Sequence, residues 1–432
     1  MSAELGSYVY RSGKNENDMR TLVKPARHCI FVVALTALAI PPVASSQTPS
    51  TSPPAIPSRT IEGVEFGPNA SLLSLTPAQQ RVAYRNLQLL APTNRVVRGR
   101  STSPLPEATL DLSSFTYDYQ NRTRSLADFI NETRVAGFIV IKDGRIVAEK
   151  YTHGHSPGSV WTSFSVAKSI VSLLYGVALR DGSIRSLDDP VTRYLPALRG
   201  SAYDIVKLRE LLQMSSGVAW NEDETDPNSD LAKSARIGRT GGIEGLLAFM
   251  KQLPRKAPPG TVFNYNTGET HLAGAVLRAA TGRSLAQYLS EKIWQPAGME
   301  ADAYWLLMRP GGAEFAGCCI SATLRDYGRL GLLMLRGGIT SDGTRLITKK
   351  WISESTTPAP TAPNYGYLWW IERHGRYAAS GIFGQYIYVD PEHQIVVAMH
   401  SLWPIAYNRE LPAHRRAFLE SLTRAVAEAS AR

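Results

Sequence analysis

The chain has 432 residues, of which 44% are hydrophobic and 19% are charged, and its formal net charge is +10. This composition is that of an ordinary globular protein with enough apolar residues for a large core, and it excludes an intrinsically disordered chain. The basic residues are scattered and form no dense run with interleaved aromatic residues, so no nucleic-acid partner is expected.

The first 46 residues have the features of a secretory signal peptide. Basic residues precede a short apolar stretch, and the small residues at 44–46 provide a cleavage site. The apolar stretch is too short for a spanning helix, and a retained membrane anchor is the alternative interpretation. Met19 is better placed than Met1 to begin such a signal, so translation is expected to start at Met19 and residues 1–18 are not expected to belong to the protein. We therefore expect a periplasmic or secreted protein without a stable membrane span once the signal is removed.

A Pro-, Ser- and Thr-rich segment follows the signal, and two strand-like hairpins flank the centre of the chain. Residues 47–60 are expected to form a flexible tether. Residues 135–151 contain two apolar runs around a Lys-Asp-Gly turn, and residues 385–401 repeat this arrangement around Asp-Pro-Glu-His. If both hairpins join one antiparallel sheet, the apolar helix that follows Ser165 can pack on it, and so can a terminal helix at about 412–429.

The section between the hairpins is predicted to be mostly helical. Helical periodicity, interrupted by loops with Pro and Gly, is found in five segments: 208–214, 242–253, 270–281, 285–294 and 321–335. The chain after residue 60 therefore divides into an α/β part, at about 61–180 and 350–432, and a helical part at about 181–349.

The apolar helix begins with the pattern Ser165-Val166-Ala167-Lys168. A hydroxyl is a poor nucleophile until a neighbouring base takes its proton, and positions i and i+3 share one face of a helix. An apolar helix disfavours the charged form of a lysine, so the pKa of Lys168 should fall and leave some neutral amine near neutral pH. The pattern predicts Ser165 as a nucleophile and Lys168 as its base, although a helix-capping serine followed by a surface lysine has the same spacing.

A second segment, 259–267, places Tyr265 after a Pro-Gly turn and before a helix. A tyrosine near a lysine can relay protons, because the ammonium favours the phenolate and the phenol can then donate to a leaving group. A core tyrosine with a satisfied hydroxyl is the alternative interpretation.

A third segment, 379–385, leads with two glycines into the second hairpin. Glycine lets the backbone approach a ligand closely, and the N–H of Ile382 can pair with the N–H of Ser165 as an oxyanion hole. A plain glycine-rich start of a strand is the competing interpretation.

In order and spacing these three segments resemble the serine β-lactamase and penicillin-binding superfamily, in particular its class C-like branch, which includes esterases and 6-aminohexanoate-oligomer hydrolases. The resemblance extends over about 133–401 and includes similar stretches at 187–196, 211–217 and 320–326. It implies an α/β, β-lactamase-like fold for residues 61–432, in which helices flank a central antiparallel sheet and a mostly helical second subdomain is inserted between the two parts.

The same resemblance assigns roles to the three segments. It implies that Ser165 is acylated, with Lys168 as its base and Tyr265 as a proton relay. The N–H groups of Ser165 and Ile382 would form the oxyanion hole. The histidines lack metal-ligand spacing and the resemblance requires no metal, so we expect a metal-free enzyme without a cofactor that acts on a small-molecule ester or amide. The sequence does not indicate an oligomeric state.

The sequence departs from the family at substrate-binding positions. Thr267 stands where β-lactamases of this branch carry Asn, and Ala379 stands where they carry Lys or His, so the cation that would meet a β-lactam carboxylate is missing. Glu224 stands where the oligomer hydrolases are expected to carry an aromatic lid residue, which weakens the case for nylon-type substrates. Substrate contacts are predicted from five residues: Thr267, Ser380, Gly381, Trp369 and Glu224.

Two other patterns are interpreted as structural. Residues 154–158 match the Gly-x-Ser-x-Gly elbow of α/β-hydrolases, but Pro157 lacks the N–H that this elbow requires, so a surface turn is expected. The adjacent Cys318 and Cys319 are expected to be buried free thiols rather than a strained vicinal bridge or a metal site.

Together these observations predict a serine hydrolase of the carboxylesterase or amidase type, which cleaves an ester or amide bond through a Ser165 acyl-enzyme. One alternative is a β-lactamase or D-Ala carboxypeptidase. A second is a slowly acylating sensor of the penicillin-binding type that does not turn over.

Overall fold

The computed structural model describes residues 58–67 and 70–430. Within these ranges, no helix combines the length and the apolarity needed to cross a bilayer. The predicted signal peptide, 1–46, lies outside the described residues. The predicted tether, 47–60, overlaps them at its end, where Arg59–Ile61 is already a paired strand, so the flexible segment cannot extend as far as residue 60.

Most strands lie in the first and last parts of the chain, and a run of helices lies between them. The strands are β1 Arg59–Ile61, β2 Val64–Phe66, β3 Thr93–Val96, β4 Thr116–Tyr119, β5 Arg122–Ser125, β6 Val135–Lys142, β7 Arg145–Tyr151, β8 Trp161–Thr162, β9 Ala303–Leu306, β10 Ile320–Ala322, β11 Trp370–Ile371, β12 Tyr377–Gly381, β13 Gln385–Asp390 and β14 Ile395–Ser401. The α-helices are α1 Pro77–Ala83, α2 Leu87–Leu90, α3 Leu126–Glu132, α4 Val166–Arg180, α5 Val191–Tyr194, α6 Leu208–Leu212, α7 Asp230–Gln252, α8 Thr267–Thr281, α9 Leu285–Leu289, α10 Leu324–Leu335, α11 Lys349–Ser355 and α12 Glu410–Ser430. Short 3-10 turns lie at Pro196–Leu198 and Ile382–Gly384, and a π-turn lies at Ser290–Trp294.

The central sheet contains both predicted hairpins. Its six strands are antiparallel and follow the order β11-β12-β13-β14-β6-β7. Strands β6 and β14 are neighbouring interior strands that are buried on both faces, which explains their nearly continuous apolar sequences. The predicted α/β class with a central antiparallel sheet is therefore confirmed.

Alternate residues of the sheet pack against different helices. Ile139 and Ile141 belong to the main core, which also contains α4 and α10. Phe138 and Val140 belong to a second core on the opposite face, where Phe418 of α12 packs. Successive side chains of a strand point to opposite faces, so this split between two cores follows directly from strand geometry.

The middle of the chain is mostly helical, but α7 is longer than predicted. It begins at Asp230, because the Ser229 hydroxyl caps its first turn by accepting the Ala232 N–H at 3.1 Å. The prediction started at Gly242, where a φ of 63° kinks the helix. The polar first half of α7 shows little apolar periodicity, which is why the sequence did not reveal it.

A second antiparallel sheet, which was not predicted, joins two strands that precede this helical region to two strands within it. Its order is β3-β9-β10-β8, and its strands have only two to four residues each. The predicted helix at 321–335 was wrong at its start, because Ile320–Ala322 pairs with both β8 and β9 and the helix begins at Leu324. This small sheet fixes β8, the strand that leads into α4.

The adjacent cysteines differ from the expectation of free thiols. Cys318 and Cys319 form a vicinal disulfide in the structure. The backbone at Cys319 has a φ of 106°, a conformation that L-residues rarely adopt, and the two neighbouring side chains meet there. The prediction failed because sequence gives no indication of this unusual local backbone.

Helix α4 is buried along almost its whole length, and a glycine permits this burial. A Cβ at Gly176 would overlap Cδ1 of Trp351 in α11 and would lie 2.7 Å from its Nε1. The same indole nitrogen donates a hydrogen bond to the Ser172 carbonyl of α4 at 3.0 Å. Gly176 therefore allows the Trp351 ring to lie directly against the α4 backbone.

We predict that Gly176→Ala destabilises the protein by about 1–3 kcal/mol, because the added methyl group overpacks this contact. Gly241→Ala is the matched control, since Gly241 also lies in a helix but a Cβ at this position would meet no atom within 4 Å. It should leave stability unchanged or raise it by up to about 1 kcal/mol. Denaturant unfolding of the two variants measures the difference, and equal stability of Gly176→Ala and the parent would contradict the packing described.

Candidate active site

Ser165 lies at the N-terminal end of α4, immediately after a constrained turn from β8. The preceding Phe164 has a φ of 44°, which is unusual for a bulky residue and is found mostly where the surrounding structure imposes it. The Ser163 hydroxyl donates to the Phe164 carbonyl at 2.9 Å and accepts the Ile320 N–H at 2.9 Å. The small sheet thus holds the turn that presents Ser165.

Lys168 is buried one turn further along α4, with only 2% of its surface exposed. Its Nζ lies 3.0 Å from Ser165 Oγ, 2.9 Å from Thr267 Oγ1 and 3.0 Å from the Gly317 carbonyl oxygen. Burial lowers the pKa of Lys168 to about 8, although the nearby charges of Glu222 and Glu224 act in the opposite direction. A fraction of the amine is therefore neutral near physiological pH and can accept a proton.

Glu222 is a buried carboxylate of this site that the sequence did not indicate. It accepts the Thr267 N–H at 2.9 Å, the Thr267 hydroxyl and the Trp220 indole N–H. Burial raises the pKa of Glu222, and the charge of Lys168 acts against that rise. Glu224, two positions later, was predicted from the sequence, because Glu224 stands where related hydrolases are expected to carry an aromatic lid residue. Nothing in the sequence pointed to Glu222 itself.

Tyr265 has both Lys168 and aromatic residues of the 365–371 segment as neighbours. Lys168 Nζ is 5.0 Å from the centroid of the tyrosine ring, and the Trp370 ring stacks on the tyrosine with 5.7 Å between the ring centroids. Burial and the charge of Glu222 raise the pKa of Tyr265, while the nearby Ser165 hydroxyl acts in the opposite direction. The expectation that the lysine favours a phenolate was therefore wrong: the protonated phenol is favoured, and it can donate a proton.

The glycine-containing segment meets Ser165 through Gly381. A Cβ on this residue would overlap the Ser163 carbonyl oxygen and would lie 3.1 Å from the Ser165 backbone nitrogen. Gly381 ends β12 opposite Gln385, and Ile382 begins the following 3-10 turn. The close approach that only glycine permits brings the end of β12, just before Ile382, beside the Ser165 backbone nitrogen, and the oxyanion hole stays a prediction.

The other predicted substrate contacts differ in their surroundings. Ser380 lies next to Gly381 on β12 and is half-buried. Glu224 is also half-buried, and burial raises its pKa. Trp369 is buried against Tyr377 at 5.7 Å, which does not support a substrate contact.

Trp370, the next residue along the chain, does reach the site, where it stacks on Tyr265. Neighbouring residues in extended backbone point in opposite directions, and the sequence alone did not show which tryptophan faced inward. Thr267, by contrast, is buried in the site, and its hydroxyl oxygen accepts a hydrogen bond from Lys168 Nζ.

Two other groups of polar residues lie apart from this centre. Ser156 of the Gly-x-Ser-x-Gly sequence is in an exposed turn, where its hydroxyl pairs with that of Ser159 at 2.7 Å. Among the described residues, one group has ligand atoms close enough for a metal: Asp390, Glu392 and His393. It lies at the turn between β13 and β14, and Asp390 there already binds Arg376 at 2.8 Å.

Comparison with known proteins identifies relatives across most of the chain. A 6-aminohexanoate-dimer hydrolase of Paenarthrobacter ureafaciens is 28% identical over 367 residues, which cover 80% of this chain and 91% of that protein. Esterase EstB of Burkholderia gladioli is 31% identical over 147 residues, which cover 31% of this chain and 36% of the esterase.

A solved structure from Bacillus anthracis, provisionally described as a 6-aminohexanoate-dimer hydrolase, has the same fold. Its TM-score is 0.75 at 22% identity, and the match covers 83% of this chain and 96% of that chain. The β-lactamase family itself matches residues 124–418, which include all three sequence segments and the residues around Lys168. The chain therefore belongs to the β-lactamase family.

Proposed function

We propose that this protein is a serine hydrolase that cleaves an ester or a short amide through a Ser165 acyl-enzyme. The observation that carries the proposal is the environment of Lys168, a buried amine with a pKa of about 8 whose nitrogen lies 3.0 Å from the Ser165 hydroxyl. A serine beside a base of this kind can attack a carbonyl. We further propose a periplasmic or secreted location, which the signal-like sequence at 1–46 supports.

Acylation uses the three side chains in turn. Ser165 Oγ bonds to the substrate carbonyl carbon while its proton passes to neutral Lys168, and the resulting oxyanion accepts the N–H groups of Ser165 and Ile382. When the intermediate collapses, the bond to the leaving alcohol or amine breaks. The leaving group takes the phenolic proton of Tyr265, and the Lys168 ammonium returns a proton to the tyrosine.

Deacylation repeats these steps with water as the nucleophile. Water adds to the acyl carbon and gives one proton to Lys168, and the same N–H groups stabilise the second oxyanion. The bond between the acyl carbon and Ser165 Oγ then breaks, and Ser165 Oγ takes the proton from the Lys168 ammonium, which restores the neutral amine. The free enzyme is regenerated, and water is the only reactant consumed besides the substrate.

The charges around Lys168 favour substrates without an acidic group close to the scissile bond. Ala379 is fully buried on β12 and supplies no cation there. The carboxylates Glu222 and Glu224 both act on Lys168. An incoming carboxylate would find no cation at the position of Ala379, which supports an ester or a neutral amide over a β-lactam. Two relatives, an esterase and an amide hydrolase, have names that fit this preference, whereas two others are named as a β-lactamase and a D-alanyl-D-alanine carboxypeptidase.

We predict that Ser165→Ala lowers kcat by at least about a thousandfold on every substrate that the parent turns over, because it removes the nucleophile. Initial rates on p-nitrophenyl butyrate, a linear 6-aminohexanoate dimer and nitrocefin test this prediction. They also rank esters, linear amides and β-lactams by their rate of hydrolysis. Ser156→Ala is the matched control, since this exposed serine belongs to the competing motif and should have no effect. Retained activity in Ser165→Ala would refute the assignment.

We also predict that kcat/KM for a neutral ester rises with pH through about 8. The pKa of Lys168 is lowered to about 8, and only the neutral amine can accept the Ser165 proton, so activity appears as the ammonium loses its proton with increasing pH. A rate profile between about pH 6 and about pH 10 measures the midpoint. A rate that is constant over this range, or that falls as Lys168 loses its proton, would contradict the role given to Lys168.

A further inference from the structure

Two of the three hydrogen-bond partners of Lys168 can only accept a hydrogen from it. The Gly317 carbonyl oxygen, 3.0 Å from Nζ, carries no hydrogen. The Thr267 hydroxyl, 2.9 Å from Nζ, has one hydrogen, which binds Oε1 of Glu222, because the charged carboxylate can only accept. The Thr267 oxygen can therefore receive a hydrogen from Lys168 but has none to give.

This leaves one direction for the lone pair of the neutral amine. An uncharged lysine has two hydrogens and one lone pair. With both hydrogens bound to Gly317 and Thr267, the lone pair faces the third partner, Ser165 Oγ, at 3.0 Å. Ser165 is the partner whose proton must be removed, so the arrangement selects the productive orientation of the base.

Glu222 is itself held in a fixed orientation by two groups that only donate. The backbone N–H of Thr267 at 2.9 Å and the indole N–H of Trp220 both bind Oε2. The other carboxylate oxygen, Oε1, is therefore the atom that faces the Thr267 hydroxyl. Glu222 is buried, so water does not compete for these bonds.

We infer that Glu222 is a positioning residue that, through the hydroxyl of Thr267, aims the lone pair of Lys168 at Ser165. The inference rests on the proposed function and extends it to a residue that touches neither the substrate nor Ser165. It also gives Thr267 a role that differs from the predicted substrate contact.

The isosteric change Glu222→Gln should reverse this chain of hydrogen bonds. The two N–H donors require an oxygen at the Oε2 position, which places the new amide nitrogen opposite Thr267 Oγ1. The Thr267 hydroxyl then accepts from Gln, and its hydrogen, which has lost the carboxylate acceptor, turns to the lone pair of Lys168. The lone pair of Lys168 is taken up by Thr267 and is no longer available to Ser165.

The test is the rate at which an alkyl fluorophosphonate labels Ser165 in the full chain, measured as a function of pH. In this reaction Ser165 Oγ bonds to phosphorus, fluoride leaves, and the serine proton passes to Lys168. We expect Glu222→Gln to lower the high-pH plateau by at least about tenfold, with Asp223→Asn, an exchange of the neighbouring carboxylate, close to the parent. If Glu222 acted through its charge alone, the midpoint would move to lower pH and the plateau would remain, which would overturn the inference.

A double variant distinguishes the proposed effect of Glu222→Gln from a loss of activity caused by misfolding. Thr267→Val removes the hydroxyl that takes the lone pair in Glu222→Gln, so Glu222→Gln/Thr267→Val should be labelled faster than Glu222→Gln alone. In the parent background the same Thr267→Val change should slow labelling, because Lys168 loses an acceptor. A slowing of similar size in both backgrounds would contradict the inference.

The outcomes separate this inference from the proposed function. Parent protein that is labelled at Ser165, with Glu222→Gln labelled equally fast at high pH, would leave the hydrolase proposal standing and remove the role of Glu222. Parent protein that is not labelled at Ser165 would overturn both. Peptide mapping of the labelled chain identifies the modified serine in each case.

Discussion

The burial of the Lys168 amine is the constraint on which the rest of the site depends. An ammonium group is costly to bury, and here burial brings its pKa to about 8. Three oxygen atoms from three separate parts of the chain surround the nitrogen: Ser165, Thr267 and Gly317. The fold must therefore bring α4, the start of α8 and the 315–319 segment together before the serine has a base.

Small residues make this convergence sterically feasible. A Cβ on Gly317 would lie 2.9 Å from Cγ2 of Thr267, so a larger residue would push the carbonyl that binds Lys168 away from it. Gly381 has the same effect on the opposite side, where β12 meets the turn before Ser165. The two sheets supply the rigidity: the central sheet holds β12, and the small sheet holds β8 and β10 around Ser163.

The parts of the molecule that were predicted correctly depend on local sequence. The two hairpins are contiguous runs with turn residues between them, and the spacing from Ser165 to Lys168 spans a single helical turn. The contact between Glu222 and Thr267 joins residues 45 positions apart, and no periodicity or turn pattern indicates it. The small sheet was missed for the same reason, because strands as short as β8 become recognisable only when their partners are known.

Rapid-quench mass spectrometry during turnover of p-nitrophenyl butyrate is the most direct test of the central claim, that Ser165 is acylated. The account predicts that, before the steady state, one butyryl group is found on the peptide containing Ser165, and that it disappears as the substrate is exhausted. Turnover without a covalent adduct, or an adduct on a different residue, would contradict the account.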